Sequence, residues 1–307
     1  MSLISSLLKS EFVSCNHVWM STSPVLGLNP SYSIQAHETH NHTFGIFPGG
    51  LSGASASMNF SGQHGGPTID ARGHMAVNQT FFDGTPTSEG SDPTTGLLTK
   101  HGIDEFPENQ YITRGVLVDL PYCLGGVGRL EPNTTVPSQQ VIDCLEKENV
   151  TIQEGDSVLL RTGYGQLFNT DPVAYVTNWP GIGAETSRYL ADQKVFLAGA
   201  DNLGLDVVPS VFPAHDILLA QNGIFIVENI NLELLAEKCK EHDLWEFALV
   251  VNPPKIQGAA AMAVNIFAIL GGDDEKEEDK EDCSGGTASL AVSLMTSAVA
   301  VWSMFAF

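Results

Sequence analysis

One stretch of this sequence gathers side chains that could do chemistry: Gln63-His64-Gly65-Gly66-Pro67-Thr68-Ile69-Asp70-Ala71-Arg72-Gly73-His74. Imidazoles and a carboxylate at close spacing are the donors a divalent metal ion uses. Neighbouring glycines let the backbone turn tightly and approach a ligand. Taken alone, a loop rich in His and Gly is more often an ordinary loop than a metal site. Two later residues add weight. His215 stands at the start of a helical pattern, where a surface imidazole is the ordinary reading. Glu228 lies in an apolar run beside Ile226, Val227 and Ile230, and a carboxylate there is costly to bury unless it is paired or bound to a cation. Asp201 and Asn202 follow another apolar run and could equally cap its turn.

Positioning these groups requires a scaffold. Short runs rich in Val, Ile, Leu and Phe recur at 115–120, 157–161, 194–198, 224–227, 247–251 and 265–270, each of strand length. Helical patterns fall between several of them, at 138–149 with Ser138 as its cap, and at 184–193, 214–222 and 232–240. Strands alternating with helices predict an α/β domain. Residues 49–73 read as a long loop rich in Gly, Ser, Ala and His, the kind that carries function when a scaffold holds it. Residues 1–30 show no clear element, and there is no internal repeat.

The ordered motifs resemble those of the cyclase family of metal-dependent hydrolases, which includes kynurenine formamidase and isatin hydrolase. The family motif H-x-G-T-H-x-D-x-[PL]-x-H is matched at His64, Gly66, Asp70 and His74. Further matches follow in order: Phe82-Asp83-Gly84; Gly115 to Asp119; Glu154 to Gly165; Pro180-Gly181-Ile182; Gly199 to Asn202; Pro213-Ala214-His215 with Leu218 and Leu219; and Asn222 to Leu232. The resemblance spans 45–270 and implies an α/β fold of the swivelling β/β/α type and a homodimer or larger assembly. It implies metal ligands at His64, Asp70, His215 and Glu228 for zinc or manganese, and His74 as the group that moves a proton, with Glu228 a second candidate. The implied substrate is a small amide, such as an arylformamide or a cyclic amide.

Two departures stand out. The family's T-H pair is Pro67-Thr68 here, so a hydroxyl replaces an imidazole ligand. Pro67 fixes its own φ and lacks an N–H, so the loop is expected to turn residue 68 away from the metal. The family's G-A-T-G-S-P segment is replaced by Gly258-Ala259-Ala260-Ala261-Met262. Both departures keep open a second reading, a weakened relative that uses the fold for binding.

The 307 residues carry a net charge of -22 with only 14 Lys and Arg, too few basic groups to neutralise a nucleic-acid backbone. The five cysteines form no CxxC pair. Cys144 falls on the apolar side of the 138–149 helix and is read as a small buried thiol. The chain divides into an N-terminal segment (1–44), a hydrolase-like body (45–270), an acidic linker (271–286) and an apolar tail (287–307). The linker holds eight acids and two lysines in residues 273–282, and residues 290–307 carry no charge. Together with Ser284, Gly285 and Gly286 this pattern suits a glycolipid attachment signal, with a retained membrane anchor or a plain tail as alternatives. Five N-x-[ST] sequons, at Asn41, Asn59, Asn78, Asn133 and Asn149, agree with a secretory or cell-surface location; a plain tail would leave the protein cytoplasmic.

Overall fold

A computed structural model describes residues 3–27 and 29–271. The acidic linker and the apolar tail lie outside the described residues, save for Gly271. Among the described residues no helix is long and apolar enough to cross a membrane.

The described chain forms β1 (Glu11–Ser14), β2 (Ser33–Glu38), β3 (Ser55–Asn59), β4 (Thr68–Asp70), β5 (Ile112–Asp119), β6 (Thr135–Val136) and β7 (Ser157–Arg161). There follow β8 (Gly181–Ile182), β9 (Leu197–Ala200), β10 (Phe225–Glu228), β11 (Glu246–Asn252), β12 (Ala261–Ala263) and β13 (Asn265–Leu270). Nine of them make one mixed sheet in the order β1-β13-β11-β5-β7-β9-β10-β4-β12. The centre, β5-β7-β9-β10, is parallel; the flanking pairs are antiparallel. Parallel neighbours need crossovers, supplied here by the helices Ser138–Lys147, Ala184–Asp192 and His215–Gln221. β12 and β13 stand near opposite ends of the sheet, yet only Val264 separates them in sequence. One residue spans only about 3.5 Å, so the sheet must curl until its ends meet.

Residues paired directly across strands share a face. Leu117, Leu159, Gly199, Val227 and Ile69 form one such row. They join Leu249, Ile266 and Trp245 in a core that the helix Glu233–His242 also enters through Leu235 and Cys239. Gly199 is required in this row, since a Cβ there would sit 2.7 Å from Ile230 and 3.1 Å from the Val227 carbonyl. The opposite face, with Val158, Ala198 and Ile226, is covered by Val141, Leu145, Leu190, Leu218 and Leu219 of the crossover helices. The mixed α/β fold expected from the sequence is therefore present.

Several local expectations are corrected. The stretch 49–73 is not one loop: it contains β3 and the buried strand β4. β9 begins at Leu197 because Lys194, with φ +54°, is still in the turn before it. Ser138 does not cap its helix; its hydroxyl bonds the Glu185 carboxylate instead. The segment 214–222 forms a π-helix, His215–Gln221. Residues upstream of 45 supply β1 to the main sheet and Cys15 to the core. Cys144 is not a free thiol: it forms a disulfide with Cys123 across 21 residues, while Cys15 and Cys239 are buried and free.

Candidate metal centre

The site lies on the helix-covered face of the sheet, where β9 and β10 end. The carboxyl ends of parallel strands are the usual ligand position in α/β sheets. β4 runs antiparallel to β10, with Thr68 opposite Glu228 and Asp70 opposite Ile226. Thr68, Asp70 and Glu228 therefore share one face, and all three are buried. This overturns the expectation that Pro67 turns residue 68 away: strand pairing on both sides of β4 holds Thr68 in register. On its other side β4 meets β12, with Ala261 opposite Asp70 and Ala263 opposite Thr68. Ala261, from the segment that stands in place of the family's G-A-T-G-S-P, thus borders the site together with Ala263.

His215 is delivered by the first turn of its π-helix, and single π turns often occur at functional sites. Asp206 orients it. The Asp206 carboxylate accepts the backbone N–H groups of Ala214 at 2.5 Å and His215 at 3.3 Å, and its Oδ2 lies 2.5 Å from His215 Nδ1. A hydrogen on Nδ1 leaves Nε2 as the free donor nitrogen. That Nε2 is 3.4 Å from Asp70 Oδ2 and 3.5 Å from Glu228 Oε1. Glu228 Oε1 also accepts the Leu205 N–H at 3.0 Å. His74, in the turn after β4, places Nε2 3.9 Å from Asp70 Oδ1 and packs edge-on against His215.

The donor atoms of Asp70, His74 and His215 lie within 4.8 Å of one another. Glu228 touches this group through His215. His64 does not join the mutual cluster, although its charge interacts with Asp70, His74 and His215. It occupies a left-handed backbone position, φ +65°, and its Nδ1 is buried without a hydrogen-bond partner. The loop that carries it is pressed against the N-terminal segment: a Cβ on Gly66 would strike the Trp19 indole at 2.4 Å.

The electrostatics favour a cation. Burial, and then the Asp70 charge, push the Glu228 carboxyl up to about 8. Burial also opposes ionisation of Asp70, but His74, His215 and His64 outweigh it and hold the group below its usual range. Burial works against a charged His215 as well, yet Asp206, Asp70 and Glu228 raise it well above the ordinary imidazole value. Asp70 Oδ2 is buried and accepts no hydrogen bond. Two buried carboxylates, an imidazole held in one orientation and an orphaned carboxylate oxygen fit a divalent ion.

Two residues of the matched motifs have structural partners. Arg161 pairs with Asp119 and Glu233. Asp201 accepts the Thr162 N–H, the Thr162 hydroxyl and the Gly163 N–H, tying the end of β9 to the end of β7. Sequence reasoning missed Asp206. Its only signal was a lone acid nine residues before His215, a spacing that becomes meaningful once the intervening loop folds back.

Comparisons with known proteins bear on the fold and the family. No curated protein matches the chain. Among solved structures, a novel cyclase is 25% identical, with a TM-score of 0.77 over 86% of this chain and 88% of its own. Isatin hydrolase A from Labrenzia aggregata is 19% identical, with a TM-score of 0.66 over 88% and 98%. A protein from Bacillus stearothermophilus described as a predicted metal-dependent hydrolase is 18% identical, with a TM-score of 0.55 over 85% and 98%. The family model named Cyclase matches residues 14–207, well over half of the 307 residues, and the chain belongs to the cyclase family.

Proposed function

We propose that the protein is a metal-dependent hydrolase that opens the C–N bond of a small, non-peptide amide, an arylformamide or a cyclic amide. The observation that carries this reading is the convergence of Asp70, His74, His215 and Glu228 at the strand ends. The isatin hydrolases among its structural neighbours favour the cyclic-amide class. Zinc or manganese suits a donor set of imidazoles and carboxylates. Such an ion, when bound, polarises a carbonyl and makes a coordinated water nucleophilic near neutral pH.

The chain's own groups supply the rest. Asp206 holds the His215 imidazole so that Nε2 faces Asp70 and Glu228. Asp70 and Glu228 bring the negative charge that offsets a cation. Glu228, whose carboxyl is raised to about 8, can accept a proton in the site. His64 and His74 divide the remaining duties, one completing the ligand set and the other carrying a proton to the leaving nitrogen. Ala261 and Ala263 present only methyl groups beside Asp70 and Thr68.

The test is hydrolysis of an aryl formamide and of isatin by the purified protein, with zinc or manganese added and after chelation. Turnover that appears with metal and disappears with chelator is expected. Metal-loaded, folded protein that turns over neither substrate would favour a second reading, a binding protein on the same fold, which Thr68 at a family ligand position already supports.

A further inference from the structure

We infer that His74 is a metal ligand in this chain, taking the place left by Thr68, and that His64 is not needed to hold the ion. This rests on the reading of the site as a cation-dependent centre and reassigns its ligands. In the family motif the final His moves a proton and the first His binds metal. The geometry here groups them the other way.

Three observations carry the inference. First, His74 belongs to the mutual cluster and His64 does not: His74, Asp70 and His215 bring their donor atoms within 4.8 Å of one another. Asp70 stands between the two imidazoles, Oδ1 being 3.9 Å from His74 Nε2 and Oδ2 3.4 Å from His215 Nε2. Second, the ring of His74 is held at the cluster: it packs edge-on against His215, 6.1 Å between centroids, and the Gln63 amide nitrogen lies 3.0 Å from its Nε2 and 3.4 Å from its Nδ1. Third, the place of the missing imidazole cannot be recovered by a local shift. Thr68 is held in β4 by pairing to Glu228 on one side and Ala263 on the other, and its side chain offers a hydroxyl and no nitrogen donor. His74 follows β4 in a turn, partly exposed, with its Nε2 already 3.9 Å from Asp70 Oδ1.

The ligand set is then Asp70, His74 and His215 with Glu228, two imidazoles and two carboxylates. The buried, unpartnered Nδ1 of His64 remains beside the set as the imidazole free for another duty.

Zinc and manganese titrations by calorimetry on wild type, His74→Ala and His64→Ala test this, alongside the visible spectrum of the cobalt-substituted proteins, which reports ligand number without reference to activity. Expected is a loss of affinity of at least about tenfold in His74→Ala, since even loss of an outer partner costs about 10–100-fold, with a changed cobalt spectrum. His64→Ala should keep wild-type affinity within about threefold and keep the spectrum. The near-isosteric His74→Asn serves if the alanine variant does not fold. Tight binding in His74→Ala or His74→Asn together with weak binding in His64→Ala overturns the reassignment and leaves the hydrolase reading standing. Wild type that binds neither ion overturns both.

Discussion

At the scale of single residues, the site is a balance of charges that only a few atoms keep. His215 offers Nε2 because Asp206 holds Nδ1, and Asp206 is itself held by the backbone N–H groups of the helix that carries His215. A carboxylate–imidazole–metal relay fixes the ring tautomer and orientation. Asp206→Asn keeps the size and loses the charge, and its amide oxygen can still accept from Nδ1. The variant is therefore expected to fold and to bind zinc more weakly by about 10–100-fold. Calorimetric titration checks this; wild-type affinity in the folded variant would show that packing alone orients the ring.

At the scale of elements, the helix Ser138–Lys147 shows how a buried charge registers in stability. Cys144 on this helix is bonded to Cys123, and Glu148 at its end turns inward, Oε1 accepting the Asp119 N–H at 3.0 Å. Its Oε2 is buried with no partner. Burial, with the nearby Asp119 charge, pushes this carboxyl up to about 8 from 4.5. The folded state therefore keeps a proton that the unfolded chain releases near 4.5. The stabilising contribution is complete below that pH and is lost as pH rises toward 8, with a slope of at most about 1.4 kcal/mol per pH unit. Glu148→Gln remains neutral throughout. Urea unfolding at pH 5 and pH 8 should show a smaller loss of stability at pH 8 in the variant than in wild type. Equal losses would mean that Glu148 is charged, or reached by water, in the folded protein.

At the scale of the whole molecule, one feature of the fold is left without cover. β2 and β3 pair only with each other and are exposed along their lengths. Ile34 faces Met58 across this hairpin, 61% and 63% exposed. An isolated two-stranded hairpin is marginal in water, and an exposed apolar patch is a common mark of association. The homodimer or larger assembly implied by family resemblance would bury it. Light scattering at micromolar concentration is expected to give at least a dimer mass, and Ile34→Glu with Met58→Glu should shift it toward monomer. A wild-type monomer would refute the expectation.

What the sequence by itself determined was a set of candidate donors and the order of the scaffold. His64, Asp70, His74, His215 and Glu228 were readable because each sits in a short motif whose order along the chain is preserved. β7 and β13 were readable because they are apolar runs with clear ends. β4 was not, since three residues between glycines carry no periodicity, and its strand exists only because β10 and β12 pair with it. Asp206 was invisible for a similar reason, its meaning depending on a loop that brings it back to His215. The Cys123–Cys144 bond needed the packing of the helix Leu120–Cys123 against the helix Ser138–Lys147, which brings together two cysteines 21 residues apart. Which imidazoles stand beside Asp70 was likewise left to tertiary structure: motif spacing orders residues along the chain, whereas the distances between their donor atoms follow from the curl of the sheet and the register of β4 within it.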